Sequence, residues 1–599
     1  MPSISAFMVQ GLLALSGFFN DAGGPIDGID RTALTLNNDF DAGGAMIPNT
    51  EAIEAIGPVI ALDYGMFQGK NSDNGLVSMF FGIPFAAPAQ RFKLPQKPKV
   101  LKGMQNATVL GAACPQQKHA IDLPIPKPAS VSEDCLSINI IKPSFTTPFS
   151  RLPVLVIIHS GGFEIGSNEE GSSRANVLVE RSIAAATPVI VVSANYRLSG
   201  FGFLAGKEAQ AAGISNLGLR DQIFALEWVQ KYITAFGGDP RRVVITGASA
   251  GGISTGLLTL ENNRFQPNTL FRGAVMLSGS VLTTSTVADG QPEYDFLVEK
   301  TNCGSARDTL ECLRQVPYQQ LMDVVDLTAN VFSYSSLQTV WRARIDGEVV
   351  MRDPLVSIAE GRRHKIPVMI GTNDDEGTLF TLPLLNITKD EHFETYIHRN
   401  YLPDASPEQL AQLAKHYPKD PTRGSPFDTG IKSAITPQFK RLAAFQGDHS
   451  FIGGRRFYLQ GVRGRPADSK MWSWVNRRGK WLPILGSMHT GDFGLWFPTE
   501  QEATATEVFG TNAMINFINN LDPNRSMSFK TILPFNWPTW HTPNPLSPTR
   551  APSLLLTTDE KFSKVRVGAE DFRVAEIQYL FDVMVDIAKK KEANAYGWK

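Results

Sequence analysis

The sequence predicts an α/β protein in which helices flank a large, mostly parallel central sheet. Continuous apolar segments such as Pro153–His159 and Pro188–Ala194 are typical of strands that are buried on both faces. Segments with apolar residues at helical spacing, such as Gln222–Ile233, alternate with these strands, and this alternation is typical of a parallel sheet. Because no internal repeat or linker interrupts the pattern, residues 58–590 are predicted to form a single domain.

The composition is that of an ordinary globular protein with a substantial core. The 599 residues are 43% hydrophobic and 19% charged, with a formal net charge of -1. This charge argues against nucleic acid and anionic membrane surfaces as partners. The chain has no C-x-x-C or H-E-x-x-H pattern, so the sequence predicts neither a metal site nor a cofactor.

The N-terminus has the features of an exported chain. The run Ile4–Phe19 is apolar and about as long as a signal peptide, but it is too short for a transmembrane span. Ala14 and Ser16 supply small residues for a cleavage site, although no Lys or Arg precedes the run. We expect residues 1–20 to be a signal peptide of a secreted protein, the alternative being an unstructured apolar tail. The glycine-rich residues 21–57 are expected to form a flexible leader.

Cysteine spacing and glycosylation motifs also bear on whether the chain is exported. The four cysteines form two locally spaced pairs, which suits two short disulfide loops or four buried thiols, and an exported chain favours disulfides. The two pairs are Cys114 with Cys135, and Cys303 with Cys312. Asn-X-Ser/Thr motifs predict glycosylation at Asn106, Asn386 and Asn524.

The remaining elements follow in chain order. Val59–Met66 and Val77–Phe81 are predicted to be strands of an opening antiparallel sheet, and the prolines of Phe81–Pro88 should end the second strand. Further parallel strands are predicted at Gly273–Ser278, Ile366–Ile370 and Met471–Val475. Helical structure is predicted for much of 285–345 and 385–465 and for Phe572–Ala588.

One further strand leads into a motif that carries chemistry. Val243–Thr246 is short and apolar, and the five residues that follow match G-x-S-x-G around Ser249. This pattern is typical of the sharp strand-to-helix turn that presents a nucleophilic serine at the top of a sheet. A second match surrounds Ser254, but this serine lies more than one turn into the following helix. We therefore predict that Ser249 is the nucleophile and that Ser254 is a packing hydroxyl.

A serine nucleophile needs a base and a carboxylate that orients the base. On sheets with this turn the order along the chain is serine, acid, histidine. Three consecutive carboxylates, Asp374, Asp375 and Glu376, follow the Ile366–Ile370 strand. The residues alone do not choose among them.

Six histidines follow these acids, and one has the expected setting. His489 lies in a loop between Gly486 and Gly491, after a predicted strand. His449 is the alternative, but its surroundings have a helical pattern. We predict that His489 is the base.

Together with these elements, many short motifs occur in one order along the chain. They include Phe81–Pro84, Glu133–Leu136, His159–Phe163, Asn195–Arg197, Asn216–Gln222, Phe236–Pro240, Gly371–Gly377 and Gly486–His489. From about residue 58 to 585 the chain resembles the type-B carboxylesterase/lipase family, the cholinesterase-like branch of the α/β-hydrolases, and especially its fungal members.

The resemblance implies an α/β-hydrolase fold and selects Glu376 as the acid. It also implies disulfides Cys114–Cys135 and Cys303–Cys312, and a salt bridge between Arg91 and Glu133. The oxyanion hole is implied to consist of the amides of Gly161, Gly162 and Ala250. Two residues depart from the family pattern: Ser160 replaces the first glycine of the oxyanion loop, and His159 replaces an aromatic residue.

The implied reaction is the hydrolysis of a small-molecule carboxylic ester without a cofactor. His489 would deprotonate Ser249, an acyl-enzyme would form, and water would release the acid. An inactive cholinesterase-like binding protein is disfavoured, because the chain retains all three residues. An acyltransferase or lactonase using the same acyl-enzyme stays open.

Substrate size is predicted from the first disulfide loop. In lipases of the family this loop is a longer flap over an acyl tunnel, whereas only 20 residues separate Cys114 from Cys135 here. The loop is proline-rich and has no amphipathic helix, which favours short to medium or bulky esters; the alternative is a lipase for long-chain esters. Phe163, Phe493 and Trp496 are predicted to line the pocket, the alternative being that they belong to the core.

Overall fold

The computed structural model describes residues 57–119, 127–264, 269–461, 469–498, 504–545, 547–559 and 565–596. The predicted signal peptide and all but the last residue of the predicted leader lie outside these ranges. The described strands form a small three-stranded sheet and an 11-stranded mixed sheet. The small sheet contains β1 (Val59–Leu62), β2 (Gly65–Gln68) and β5 (Met104–Asn106). The large sheet contains β3 (Lys70–Asn71), β4 (Val77–Pro84), β6 (Ser137–Pro143), β7 (Leu152–Ile158), β8 (Ile190–Ala194), β9 (Gly238–Ala248), β10 (Gly273–Leu277), β11 (Val368–Asn373), β12 (Met471–Arg477), β13 (Ser553–Thr558) and β14 (Val565–Ala569).

The order of strands in the large sheet fixes where a site can form. Its order is β14-β13-β12-β11-β10-β9-β7-β8-β6-β4-β3, and the strands from β13 to β8 are mutually parallel. This confirms the predicted α/β class with a mostly parallel sheet. β7 lies between β8 and β9. The chain therefore runs from β7 to β8 on one side and then crosses to β9 on the other side. In open α/β sheets such a switch point creates a crevice at the carboxyl ends of the strands.

Helices cover both faces of this sheet. Alternate residues of β7 show why: Val154 and Val156 lie in one buried apolar cluster, and Leu155 and Ile157 in another on the opposite face. Five of the described helices are α1 (Glu169–Ala184), α4 (Leu217–Tyr232), α5 (Ala250–Leu258), α16 (Ala505–Asn520) and α17 (Val574–Tyr596). The others are α2 (Ser199–Phe203), α3 (Lys207–Ala211), α6 (Gln291–Lys300), α7 (Thr309–Gln315), α8 (Tyr318–Val325), α9 (Pro354–Glu360), α10 (Thr378–Thr381), α11 (Asp390–Asn400), α12 (Pro407–His416), α13 (Phe439–Gly447), α14 (Gly453–Gln460) and α15 (Phe493–Trp496).

Several predicted boundaries were wrong. The single strand expected at Val59–Met66 is the antiparallel hairpin of β1 and β2, with its turn at residues 63–64. β4 continues through Phe81 to Pro84, because a register shift carries the strand past Phe80 and its pairing with β6 resumes at Ile83. Pro84 lies at the end of the strand, where its missing N–H costs little.

The regions predicted to be largely helical are mixed. The interval 285–345 contains α6, α7 and α8, but residues 326–345 are described without a helix. The interval 385–465 contains α11 to α14, with a π-helical turn at Asp448–Ile452 between the last two. β3, β5, β6, β13 and β14 had not been predicted.

The covalent and ionic links implied by the family resemblance are present. Disulfides join Cys114 to Cys135 and Cys303 to Cys312. Arg91 Nε donates to Glu133 Oε2 at 3.0 Å, which confirms the implied salt bridge. Both disulfides close short loops, so each one restrains a local segment.

Candidate active site

Ser249 occupies the turn between β9 and α5. Its backbone has φ 53° and ψ −121°, a strained conformation for a residue with a side chain, and its N–H donates to Leu277 O at 2.9 Å. A Cβ at Gly251 would lie 2.1 Å from Ile158 O, so the turn requires glycine there. The tight turn places the serine at the carboxyl end of β9, beside the end of β7.

Ser254 has a different environment. It is fully buried within α5, and its Oγ accepts a hydrogen bond from Gln222 Nε2 at 3.0 Å. This contact joins two helices, as expected for a packing hydroxyl. The two matches to the same short pattern therefore differ in what they contact.

The predicted acid and base are joined directly. Glu376 is fully buried, and its Oε2 lies 2.5 Å from His489 Nδ1. Its Oε1 accepts the backbone N–H of Asn373 at 2.6 Å. A carboxylate fixed at both oxygens holds the imidazole in one orientation and places the proton of the ring on Nδ1.

Asp374 and Asp375 have cationic partners instead. Lys480 Nζ lies 2.9 Å from Asp374 Oδ2 and 2.7 Å from Asp375 Oδ2. Burial opposes ionisation of Asp374, but Lys480, Arg477 and Arg573 more than offset this and hold its pKa below the usual range.

The far side of the His489 ring is apolar. The ring centroids of Phe451 and Phe380 lie 4.5 Å and 5.1 Å from that of His489. Its Nε2 is buried and has no hydrogen-bond partner among the described residues, Ser249 included. This arrangement leaves Nε2 free to accept a proton.

His449, the alternative base, has no contact with the acid triplet among the described residues. It is buried on the π-helical turn, and its Nδ1 lies 3.0 Å from Ser450 Oγ. Burial, assisted by the charge of Arg342, lowers its pKa to about 3.

A polar network that the sequence reasoning missed lies behind Glu376. Asn373 Nδ2 donates to Ser278 Oγ at 2.9 Å and to Asp492 Oδ1 at 3.0 Å. Asp492 Oδ2 accepts from Trp474 Nε1 at 2.7 Å. Burial raises the pKa of Asp492, and the charge of Glu376 acts in the same direction. The spacing of Asp492, three residues after His489, was the only signal in the sequence that could have indicated this network.

The predicted oxyanion loop follows β7. Gly161 has φ 104°, and a Cβ there would lie 2.1 Å from Ile165 O. Ser160, the departure from the family pattern, is held by Glu170, whose Oε2 accepts its N–H at 3.0 Å and its hydroxyl at 2.7 Å. The N–H groups of Gly161 and Gly162 donate to no described residue outside the loop.

His159, the second departure from the family pattern, is part of the base of this loop. Its ring stacks on Tyr196 with centroids 4.2 Å apart, and burial lowers its pKa to about 4. Ala250 is the first residue of α5, so its N–H has no partner within the helix. Gly161, Gly162 and Ala250 line the same cavity as Ser249, and their role as an oxyanion hole stays a prediction.

These groups share one cavity of about 1970 Å³. Ser249, Ala250, Gly161, Gly162 and His489 all line it. Much of its wall near His489 is a buried apolar cluster: Leu337, Leu379, Phe380, Phe451, Leu482 and Met488.

Two of the three predicted wall residues line this cavity. Phe163 and Phe493 do so, whereas Trp496 does not. Trp496 is fully buried and packs against Trp474 and Trp537 in a core cluster, so its prediction was wrong. Its position in α15 turns the ring toward the sheet and away from the cavity.

The predicted glycosylation sites differ in exposure. Asn106 and Asn386 are exposed, whereas Asn524 is half-buried and its Nδ2 donates to Trp537 O at 2.9 Å. Their occupancy stays a prediction. Over the described ranges, no cluster of His, Cys, Asp and Glu has the arrangement to hold a metal ion. None of the described helices is long and apolar enough to cross a membrane.

Comparison with known proteins agrees with this geometry. The model of the carboxylesterase family matches residues 57–561. Lipase 4 of Diutina rugosa is 38% identical over 485 residues, covering 77% of this chain and 85% of the relative. The secreted triacylglycerol lipase LIP1 of Gibberella zeae is 35% identical over 525 residues, covering 82% and 87%. The crystal structure of Aspergillus niger EstA superimposes with a TM-score of 0.74 at 26% identity, covering 88% of this chain and 99% of that chain. The chain therefore belongs to the carboxylesterase family and is a carboxylic ester hydrolase of the α/β-hydrolase fold.

Proposed function

We propose that the protein hydrolyses carboxylic esters through an acyl-enzyme on Ser249, with His489 as general base and Glu376 as the residue that orients it. The observation that carries the proposal is the 2.5 Å contact between Glu376 and His489 Nδ1, in the cavity that Ser249 lines. In this arrangement Nε2 is the nitrogen left to accept the serine proton.

The reaction then has two steps. His489 Nε2 takes the hydroxyl proton as Ser249 Oγ attacks the ester carbonyl, and the same proton passes to the departing alcohol. Water, deprotonated by His489, next attacks the acyl-enzyme and releases the acid. The amides of Gly161, Gly162 and Ala250 stabilise the oxyanion in both steps.

We further propose that the acyl group is long or bulky. The cavity of about 1970 Å³ exceeds the ~300–1,000 Å³ typical of small-molecule sites, and its wall beside His489 is apolar. Similar fungal proteins are named lipases. The preference for short to medium or bulky esters inferred from sequence rested on the loop between Cys114 and Cys135, of which residues 120–126 lie outside the described ranges. We therefore propose that the protein acts as a lipase on long-chain esters. We also propose that it is secreted, because three similar proteins are named secreted lipases.

The nucleophile is tested by a matched pair of variants. Ser249→Ala should lower kcat by at least ~10⁴-fold and abolish labelling by a fluorophosphonate probe, because no other group can form the acyl-enzyme. Ser254→Ala should keep both, since that hydroxyl is buried in α5 and accepts a hydrogen bond from Gln222. Equal labelling of wild type and Ser249→Ala would refute the assignment.

The acyl preference is tested with p-nitrophenyl esters from acetate to palmitate, assayed in the same detergent. We expect kcat/KM to rise with chain length to at least the medium-chain esters, as more of the apolar wall is covered. A maximum at acetate or butyrate would contradict the long-chain proposal and restore the preference inferred from the disulfide loop.

A further inference from the structure

Arg342 lies in the wall of the substrate cavity without a carboxylate partner. Its Nη1 donates to Gln338 Oε1 at 3.1 Å, while its Nε is buried and has no partner. No salt bridge reaches its guanidinium from the part of the chain that the structure describes. Arg342 is half-buried, and a buried donor such as its Nε is costly to leave without a partner, so this side chain requires an explanation.

His449 lines the same cavity and has one ring nitrogen without a partner. It is 3% exposed, its Nδ1 lies 3.0 Å from Ser450 Oγ, and its Nε2 has no partner among the described residues. With a pKa of about 3, held down by burial and by the charge of Arg342, the ring is neutral near pH 7. When Nδ1 accepts the Ser450 hydroxyl, the proton of the ring is on Nε2, which becomes a donor.

Two carboxylates, Asp289 and Glu293, act on the charge of Arg342 without forming an ion pair with it among the described residues. Asp289 Oδ2 accepts the N–H and the hydroxyl of Thr286, both at 2.7 Å. Glu293 lies 4.0 Å from Arg344, the neighbouring cation, and its Oε2 is buried without a hydrogen-bond partner. Burial and the charge of Arg344 lower the pKa of Arg342, and both acids oppose this change from a longer range. The donors of Arg342 are therefore left for a ligand.

The position of this pair relative to the reacting groups is favourable. Phe451, whose ring lies 4.5 Å from that of His489, follows His449 by two residues on the same π-helical turn. Leu337 and Gln338 continue the cavity wall from the apolar cluster to Arg342. The same cavity wall therefore carries the apolar cluster beside His489 and Arg342.

We propose that Arg342 and His449 form a subsite for a carboxylate that an ester substrate carries away from its scissile carbonyl. The inference rests on the ester hydrolysis proposed above. The guanidinium supplies the charge, and His449 Nε2 supplies a neutral donor. The carboxylate belongs to the acyl part of the substrate or to its alcohol part, and the test distinguishes the two.

Three ester types of matched length provide the test: p-nitrophenyl alkanoates, mono-p-nitrophenyl esters of α,ω-dicarboxylic acids, and 4-carboxyphenyl alkanoates. Arg342→Gln should lower kcat/KM roughly 10- to 100-fold on one of the two charged types, the range for a lost charge-assisted hydrogen bond. Its effect on the uncharged esters should stay below threefold. The charged type that responds identifies the acyl or the alcohol part as the source.

Further variants keep the test decisive if Arg342→Gln folds poorly. Arg342→Lys retains the charge and should recover part of the loss, whereas His449→Leu should reproduce a smaller selective loss. Arg362→Gln, at an exposed arginine that pairs with Glu360 at 2.9 Å, is the control and should behave like wild type.

Two failures are distinguishable. If wild type cleaves no ester of any type, the proposed function itself falls. If it cleaves uncharged esters but Arg342→Gln and Arg342→Lys change charged and uncharged types equally, or change neither, only the carboxylate subsite is overturned.

Discussion

The three consecutive carboxylates after β11 are all buried, but they have two different kinds of partner. Glu376 contacts the imidazole of His489, whose second nitrogen has no partner among the described residues. Asp374 and Asp375 instead form ion pairs with the same cation, Lys480. The comparison teaches that position at the catalytic edge and burial do not identify a catalytic acid. A catalytic acid is identified by a partner that, like His489, keeps one nitrogen free to accept a proton.

The two ionic acids nevertheless serve the site. Asp375 Oδ2 accepts the N–H of Ser487 at 2.8 Å, and its own N–H donates to Ser487 O at 2.9 Å. These bonds join the loop of the acid to the loop of His489. The ion-paired region is thus a support that fixes where the base lies, and the two regions should respond differently to substitution.

The largest contrast is expected for Glu376→Gln. The amide keeps the size of the side chain but no longer favours the Nδ1-protonated imidazole or stabilises the imidazolium, so kcat should fall by about 10³–10⁴-fold. Single-turnover acylation of a p-nitrophenyl ester measures this directly, with thermal unfolding as the check on folding. A kcat within tenfold of wild type would move the acid role away from Glu376.

A smaller effect of another kind is expected for Lys480→Met. Removing the shared cation leaves two buried carboxylates short of a partner, which should lower the free energy of unfolding by roughly 3–5 kcal/mol. The kcat of the folded enzyme should change less than threefold. Urea unfolding measures the first quantity and active-site titration normalises the second.

Lys419→Met is the control for this variant. Lys419 is 59% exposed and lies 3.6 Å from Asp390, so its removal should cost under ~1 kcal/mol. If Lys480→Met lost activity as completely as Glu376→Gln while remaining folded, the division into a reactive and a supporting region would be wrong.

The same contrast explains what the sequence could predict. Ser249 was predictable because its turn is encoded by neighbouring residues, from the apolar strand to Gly251. Glu376 was not separable from Asp374 and Asp375 by local pattern, because its defining contact is with a residue 113 positions away. The family resemblance supplied that choice.

The remaining misses have the same cause. Trp496 was assigned to the cavity because an aromatic residue near His489 suits either a wall or a core, and only the direction of α15 decides. Asn373 and Asp492 were missed because ordinary polar residues acquire their role only when the chain brings β11 and the His489 loop together. β6, at Ser137–Pro143, lacks the long continuous apolar run by which its neighbours were identified.

The smallest expected effect concerns a supporting cluster farther along the sheet. Glu570 is buried against Arg455 and Arg456, with Oε2 3.0 Å from Arg455 Nη1 and Oε1 2.9 Å from Arg456 Nε. Burial alone would raise its pKa, but the two arginines outweigh burial and lower the pKa to about 2. In the unfolded chain the pKa of a glutamate is about 4.3. The folded state therefore binds this proton less readily, so the stabilisation is complete above about pH 4.5 and is lost as pH falls toward 2.

Comparison of wild type with Glu570→Gln isolates this contribution from the other carboxylates. The difference in free energy of unfolding should shrink by roughly 2–3 kcal/mol between pH 5 and pH 2, whereas the exposed Glu227→Gln should give a difference that changes little. Because Glu570 contacts no residue of the proposed triad, kcat measured above pH 5 should be unaffected. A difference that stayed constant down to pH 2 would show that the arginines do not hold Glu570 ionised, and support through ion pairs would then be confined to the Asp374 and Asp375 region.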